Sequence, residues 1–151
     1  DNGGPAPSTS ANGFQLSSNT SPEADIIALV ATPSGDGIVT IPATTGVGFF
    51  SVASINLGAS NQLTVTADTG DVLLPVTLTL CETNPTTSVC LATPAPAVTT
   101  QIDANATPTF DVFVSASAPV PFDPENNRAI VRFKDGSDID RGSASVAIRT
   151  E

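Results

Sequence analysis

The sequence predicts an all-β fold: seven to nine short strands in two stacked sheets, preceded by an extended polar arm. Three observations predict it. Apolar and polar residues alternate with a period of two in several short runs, which sends one face of each run into a core and the other into water. Thirteen Pro and eleven Gly punctuate these runs, as the turns of a sandwich or barrel require. No segment carries the period of an amphipathic helix.

Residues 1–23 are dominated by Gly, Pro, Ser, Asn and Thr, the composition of an arm or linker. Phe14 and Leu16 are its large apolar residues, and their spacing places both on one face of an extended chain. The sandwich is expected over 24–151. Residues 24–32 form a nearly continuous apolar run that stops before Pro33, and β-branching favours strand over helix. Ser34-Gly35-Asp36-Gly37 marks a turn, 38–41 a short strand, and Thr44-Thr45-Gly46 a break. Residues 49–57 read as a strand closed by Gly58, and 63–67 as one ending at Asp68-Thr69-Gly70-Asp71. In 76–81, Val76, Leu78 and Leu80 share a face. Strands over 98–102, 109–117, 128–134 and 143–149 complete the set, with Phe110, Val112, Val114 and Ala129, Val131, Phe133 as core faces.

Composition narrows the function. The 151 residues suit one domain with a real core. The chain has no His, Tyr, Trp or Met, so it lacks the commonest general base, the commonest metal ligand and the best stacking rings. Its net charge is −10, with four of the five basic residues (Arg128, Arg132, Lys134, Arg141) interleaved with Asp135, Asp138 and Asp140. Nucleic acid is not an expected partner, because that needs a basic patch. No apolar run is long enough for a spanning helix, so membrane insertion is not expected. Asp1 in place of Met suggests a processed end whose leader has been removed.

Cys81 and Cys90 are the two cysteines, and they flank a polar turn centred on Asn84-Pro85. Such a pair reads as a structural disulfide, which persists in oxidising compartments.

Several stretches resemble immunoglobulin-like β-sandwich modules of bacterial secreted and cell-surface proteins. They are Pro75-Val-Thr-Leu-Thr-Leu-Cys-Glu-Thr-Asn-Pro85, Cys90-Leu91, Thr107-Pro-Thr-Phe-Asp-Val-Phe113, Val120-Pro-Phe-Asp-Pro124, Asn127-Arg-Ala-Ile-Val-Arg-Phe-Lys-Asp135 and Arg141-Gly-Ser-Ala-Ser-Val-Ala147. The resemblance runs from Gly46 onward. It implies an immunoglobulin-like Greek-key sandwich and an extracellular or cell-surface location, and no shared chemistry.

Other candidate sites each have a plain structural alternative. Asp135, Asp138 and Asp140 gather oxygen ligands of the kind calcium takes, but Arg132, Lys134 and Arg141 could neutralise them in a solvated turn. Asn19-Thr-Ser21 and Asn105-Ala-Thr107 fit the N-glycosylation pattern and are also ordinary turn sequences. No catalytic residue and no cofactor is expected.

The expected function is therefore an extracellular structural protein, a fibre or filament subunit built by strand addition between copies. Phe14, Leu16, Ile26, Ile27, Leu29 and Val30 are the expected assembly residues, and a homo-oligomer or polymer is the expected state. The competing expectation is a cell-surface adhesive or ligand-binding module, assisted by calcium at the three aspartates.

Overall fold

The computed structural model describes residues 21–151, which form nine strands in two sheets with no helix among them. The strands are β1 (Ile26–Ala31), β2 (Ile38–Ile41), β3 (Val47–Asn56), β4 (Asn61–Asp68), β5 (Val76–Thr83), β6 (Ala97–Ile102), β7 (Thr109–Ala116), β8 (Arg128–Lys134) and β9 (Asp140–Thr150). The arm expected over 1–23, with Phe14, Leu16 and Asn19, lies almost wholly outside the described residues.

One sheet has the order β1-β3-β7-β5 and the other β2-β9-β8-β4-β6. Four strands in the first and β9-β8-β4 in the second reproduce the strand order of an immunoglobulin sandwich. Two strands are added. β2 pairs in parallel with β9, where all other pairings are antiparallel. β6 extends the second sheet beyond β4, after the chain has already visited the first sheet as β5.

The core is the interleaving of the inward faces. Phe50, Phe110 and Phe133 are fully buried, with Leu63, Leu80, Ile102, Ile148 and several Val packed around them. Phe110 of β7 and Phe133 of β8 meet edge to face across the sheets, centroids 5.6 Å apart and planes at 77°. Such a contact adds about 0.5–1.5 kcal/mol to the burial itself. The faces expected on β7 and β8 are the buried ones.

Three strands extend further than the apolar pattern indicates. β3 begins at Val47, β4 at Asn61 and β9 at Asp140. At the start of β4 the side chains are polar while the backbone still pairs: Asn61 lies opposite Ile102 and Gln62 opposite Gln101. Periodicity reports burial, not pairing, so it misses such ends.

β1 is seated against the second sheet through Gly142 of β9. A Cβ there would meet the Ile26 carbonyl oxygen at 2.2 Å and the Ile26 Cβ at 2.7 Å. The missing side chain lets the β1 backbone close over β9.

Candidate functional site

Charged side chains cluster at the β8–β9 turn. Asp135 Oδ1 accepts the backbone N–H groups of Ser137 (2.8 Å) and Ile139 (3.1 Å), and Oδ2 accepts Arg141 Nε at 2.7 Å. Burial, the largest influence on this carboxyl, raises its pKa, but the Ile139 and Ser137 amides and the Arg141 guanidinium together outweigh it and hold the carboxyl below the ordinary aspartate range. Arg141 also pairs with Glu23, so one guanidinium ties the entry to β1 to the β8–β9 turn. Arg132 bridges Asp68 (2.7 Å) and Asp140 (3.0 Å), and Lys134 takes Asp138 at 3.1 Å. The three candidate calcium ligands therefore each face a different cation. Asp138 adopts a left-handed backbone with φ of 63°.

The disulfide between Cys81 and Cys90 is formed, with Cα atoms 5.5 Å apart. Cys81 points to the outer face of its sheet, yet it and Thr83 are buried. The covering comes from the chain itself. After Asn84 the backbone turns back along the free edge of β5. Leu91 N–H donates to Glu82 C=O at 2.8 Å, and Leu80 and Ala95 exchange bonds of 2.8 and 2.9 Å. The edge of β5 is thus closed by its own return segment, which the disulfide holds in place. A guarded edge is how soluble sheets avoid pairing with other chains.

The opposite edge of that sheet is different. Asp25 C=O accepts Leu57 N–H at 2.8 Å, and Glu23 C=O accepts Ala59 N–H at 2.8 Å. The alternation this fixes turns the backbone groups of Ala28 and Val30 away from β3. No strand of the described residues pairs with β1 on that far side. Of the expected assembly residues described, Ile26 is buried in the core of its own chain and Val30 is half-buried against it. Ile27 and Leu29 face outward and are 49% and 70% exposed.

Beyond them apolar side chains continue onto the outer face of β3. Val47 and Phe49 of β3 are about half exposed, at 56% and 47%. Phe49 lies opposite Phe113, Ile27 opposite Ile55, and Leu29 opposite Ala53. Polar side chains interrupt this face toward β5: Ser51 Oγ pairs with Asp111 at 2.6 Å and Thr83 with Thr109 at 2.7 Å, and Thr77, Thr79 and Ser115 share the face. Sequence reasoning did not single out Val47 and Phe49. The signal was present in Val47-Gly-Phe-Phe50, where both faces of a strand carry apolar residues.

β1 is also shorter than β3. Its last pair is Ala31 with Ser51, so 47–50 continue past it with a partner on the β7 side alone. The β1–β2 turn leaves a cleft of about 310 Å³ there, lined by Pro33, Ser34, Ile38, Thr40, Phe49 and Arg149 among others. Arg149 pairs with no carboxylate of the described residues: its Nε reaches Thr40 Oγ1 at 3.1 Å, and its guanidinium lies 5.3 Å from the Phe122 ring centre. Asn105, the described glycosylation candidate, is exposed in the β6–β7 turn with φ of 65°.

These residues define an all-β two-sheet sandwich with one sheet edge closed by a disulfide-held segment and the other, β1, without a second paired strand among the described residues. No protein-family model matches the chain, and no curated protein matches it. Among solved structures the chain is similar to the N-terminal domain of PorA, at a TM-score of 0.43 and 8% identity, over 83% of this chain and 98% of that one.

Proposed function

We propose that this chain is an extracellular structural subunit that associates with copies of itself by strand addition. The observation that carries the proposal is the contrast between the two edges of the first sheet. The β5 edge is closed by covalently held backbone. The β1 edge has no Lys, no Pro and no bulge within the strand, and it carries exposed Ile27 and Leu29. A solitary domain normally blunts such an edge. An extended peptide would gain main-chain hydrogen bonds along it and apolar contacts beside it.

The disulfide supports an oxidising compartment, because such bonds do not persist in reducing cytosol. Charged residues are only 13% of the chain, but its net charge of −10 opposes association, so pairing at the edge has to outweigh that repulsion. The polar arm of 1–20, entering directly before β1, is the segment available for donation. An open, head-to-tail exchange of this kind builds filaments rather than closed rings. The role is mechanical, and no catalytic step belongs to it.

Light scattering over a concentration series of the full chain and of residues 21–151 tests this. Association of the full chain, lost in the shorter one, supports strand donation by the arm. A full chain that stays monomeric at every concentration overturns it.

A further inference from the structure

The alternation of β3 determines what its uncovered end offers. Leu57 N–H goes to β1, whereas Ser54 and Asn56 N–H go to Pro108 and Ala106 on the β7 side. Odd-numbered residues of β3 therefore direct both backbone groups toward β1, and even-numbered ones toward β7. At Val47 and Phe49 the strand that would receive them has already left: β1 ends at Ala31, opposite Ser51. Their side chains stand exposed on the outer face at the same place. A notch one short strand long results. Its floor is the β3 edge, its walls are the β1–β2 turn and β2, and its volume is about 310 Å³.

We propose that this notch is the acceptor for Phe14-Gln15-Leu16 of a second copy, added to β3 in line with β1. The proposal rests on the strand-addition reading above and names its acceptor. Residues two apart on an added strand share a face, so Phe14 and Leu16 fall together beside Val47 and Phe49.

The length of the chain before β1 excludes the same copy as the source. Glu23 is fixed beside Ala59 by a hydrogen bond of 2.8 Å. From there to Phe49 the chain runs back ten residues, through the 57–59 segment that still bonds to 23–25 and then along β3, about 30 Å at the rise of a strand. Leu16 precedes Glu23 by seven residues, which span about 25 Å at full extension. Leu16 falls short even with no allowance for reversing direction, and a second copy has no such limit.

Sedimentation velocity of the full chain, with two variants, decides the matter. Val47→Pro removes the N–H at the open edge from the first residue of a strand, a place where proline is tolerated. Phe49→Lys places a charge on the same edge at a half-exposed position, and it serves if the proline variant does not fold. Each folded variant should keep its melting temperature within a few degrees and need about tenfold more protein to associate. Variants that associate as readily as the parent overturn the notch as acceptor while leaving strand addition standing. A parent chain that never associates overturns both.

Discussion

Asn56 Oδ1 accepts the backbone N–H of Asp25 at 3.0 Å, joining the last residue of β3 to the segment that leads into β1. The same oxygen accepts Gly58 N–H at 3.0 Å. The amide nitrogen donates to the carbonyls of Ala59 (2.8 Å) and Ile102 (3.2 Å). Asn56 is fully buried, so water cannot replace these partners. One side chain thus fixes the β1 entry, the β3–β4 turn and the end of β6. Asn56→Ala should cost about 2–4 kcal/mol, because it strands several buried groups at once. Denaturant unfolding measures this, and a loss below about 1 kcal/mol would show that the bonds are dispensable.

The disulfide should be quantitative in the native protein, with no thiol open to alkylation before reduction. Replacing both Cys81 and Cys90 by Ser should cost about 2–3 kcal/mol through the short loop it closes. The loss should be local as well. Amides of Leu80, Leu91 and Ala95, which hold the return segment to β5, should exchange faster in the variant. Unchanged protection of all three would mean that the backbone bonds guard the edge without help.

Stability should fall on the acid side because of two aspartates. Asp68 and Asp135 are both held below the ordinary carboxyl value of 3.8. In each, burial pushes upward, but the Arg132 guanidinium and Gly70 N–H at Asp68, and the amides and Arg141 at Asp135, outweigh it. A depressed folded value means the stabilisation is complete above the unfolded value and disappears as pH falls through the folded one. Asp135→Asn should therefore be less stable than the parent by a constant gap above about pH 5, and the gap should narrow as pH falls below about 4. The difference between the two curves isolates this carboxyl from the repulsion among the other acids. A gap that does not narrow at all as pH falls below about 4 would assign the loss to packing instead.

The strands of this fold were legible because most bury one face and wet the other. All nine were visible as short runs, including β1 and β2, which precede the stretch that resembles immunoglobulin-like modules. The core faces of β7 and β8 followed from alternation alone. What escaped was set by contacts distant in sequence. Asn56 reads as an ordinary strand-end residue, since its partners Asp25 and Ile102 come from other elements. Cys81 alternates out of the face shared by Val76, Leu78 and Leu80, and Thr83 lies past the end of the predicted strand; both are dry because the chain folds back over them. The notch beside Val47 and Phe49 depends on where β1 stops, which registers only once β1 and β3 are paired. The acids and bases at the β8–β9 turn were visible as a group. Which acid takes which cation was fixed by the fold, through Glu23 and Asp68.

Gly142 offers the sharpest test of how β1 is held. Its Cα faces the backbone of Ile26, and a methyl group there would overlap the Ile26 carbonyl oxygen at 2.2 Å. Backbone cannot swing aside as a flexible side chain can, so one strand must move. β9 is bonded to β8 at Gly142 itself and to β2 from Ala147 onward, whereas among the described strands β1 is bonded to β3 alone. β1 should therefore be the strand displaced. Gly142→Ala is expected to cost about 2–4 kcal/mol and to raise exchange at amides 26–31 while β7 and β8 stay protected. Gly136→Ala is the control, since an added Cβ there meets nothing within 4 Å, and it should stay within about 0.5 kcal/mol of the parent. If both variants unfold with the parent's midpoint, β1 is not clamped by β9. Hydrogen exchange that rises across all strands would instead show that β1 and the core open as one unit.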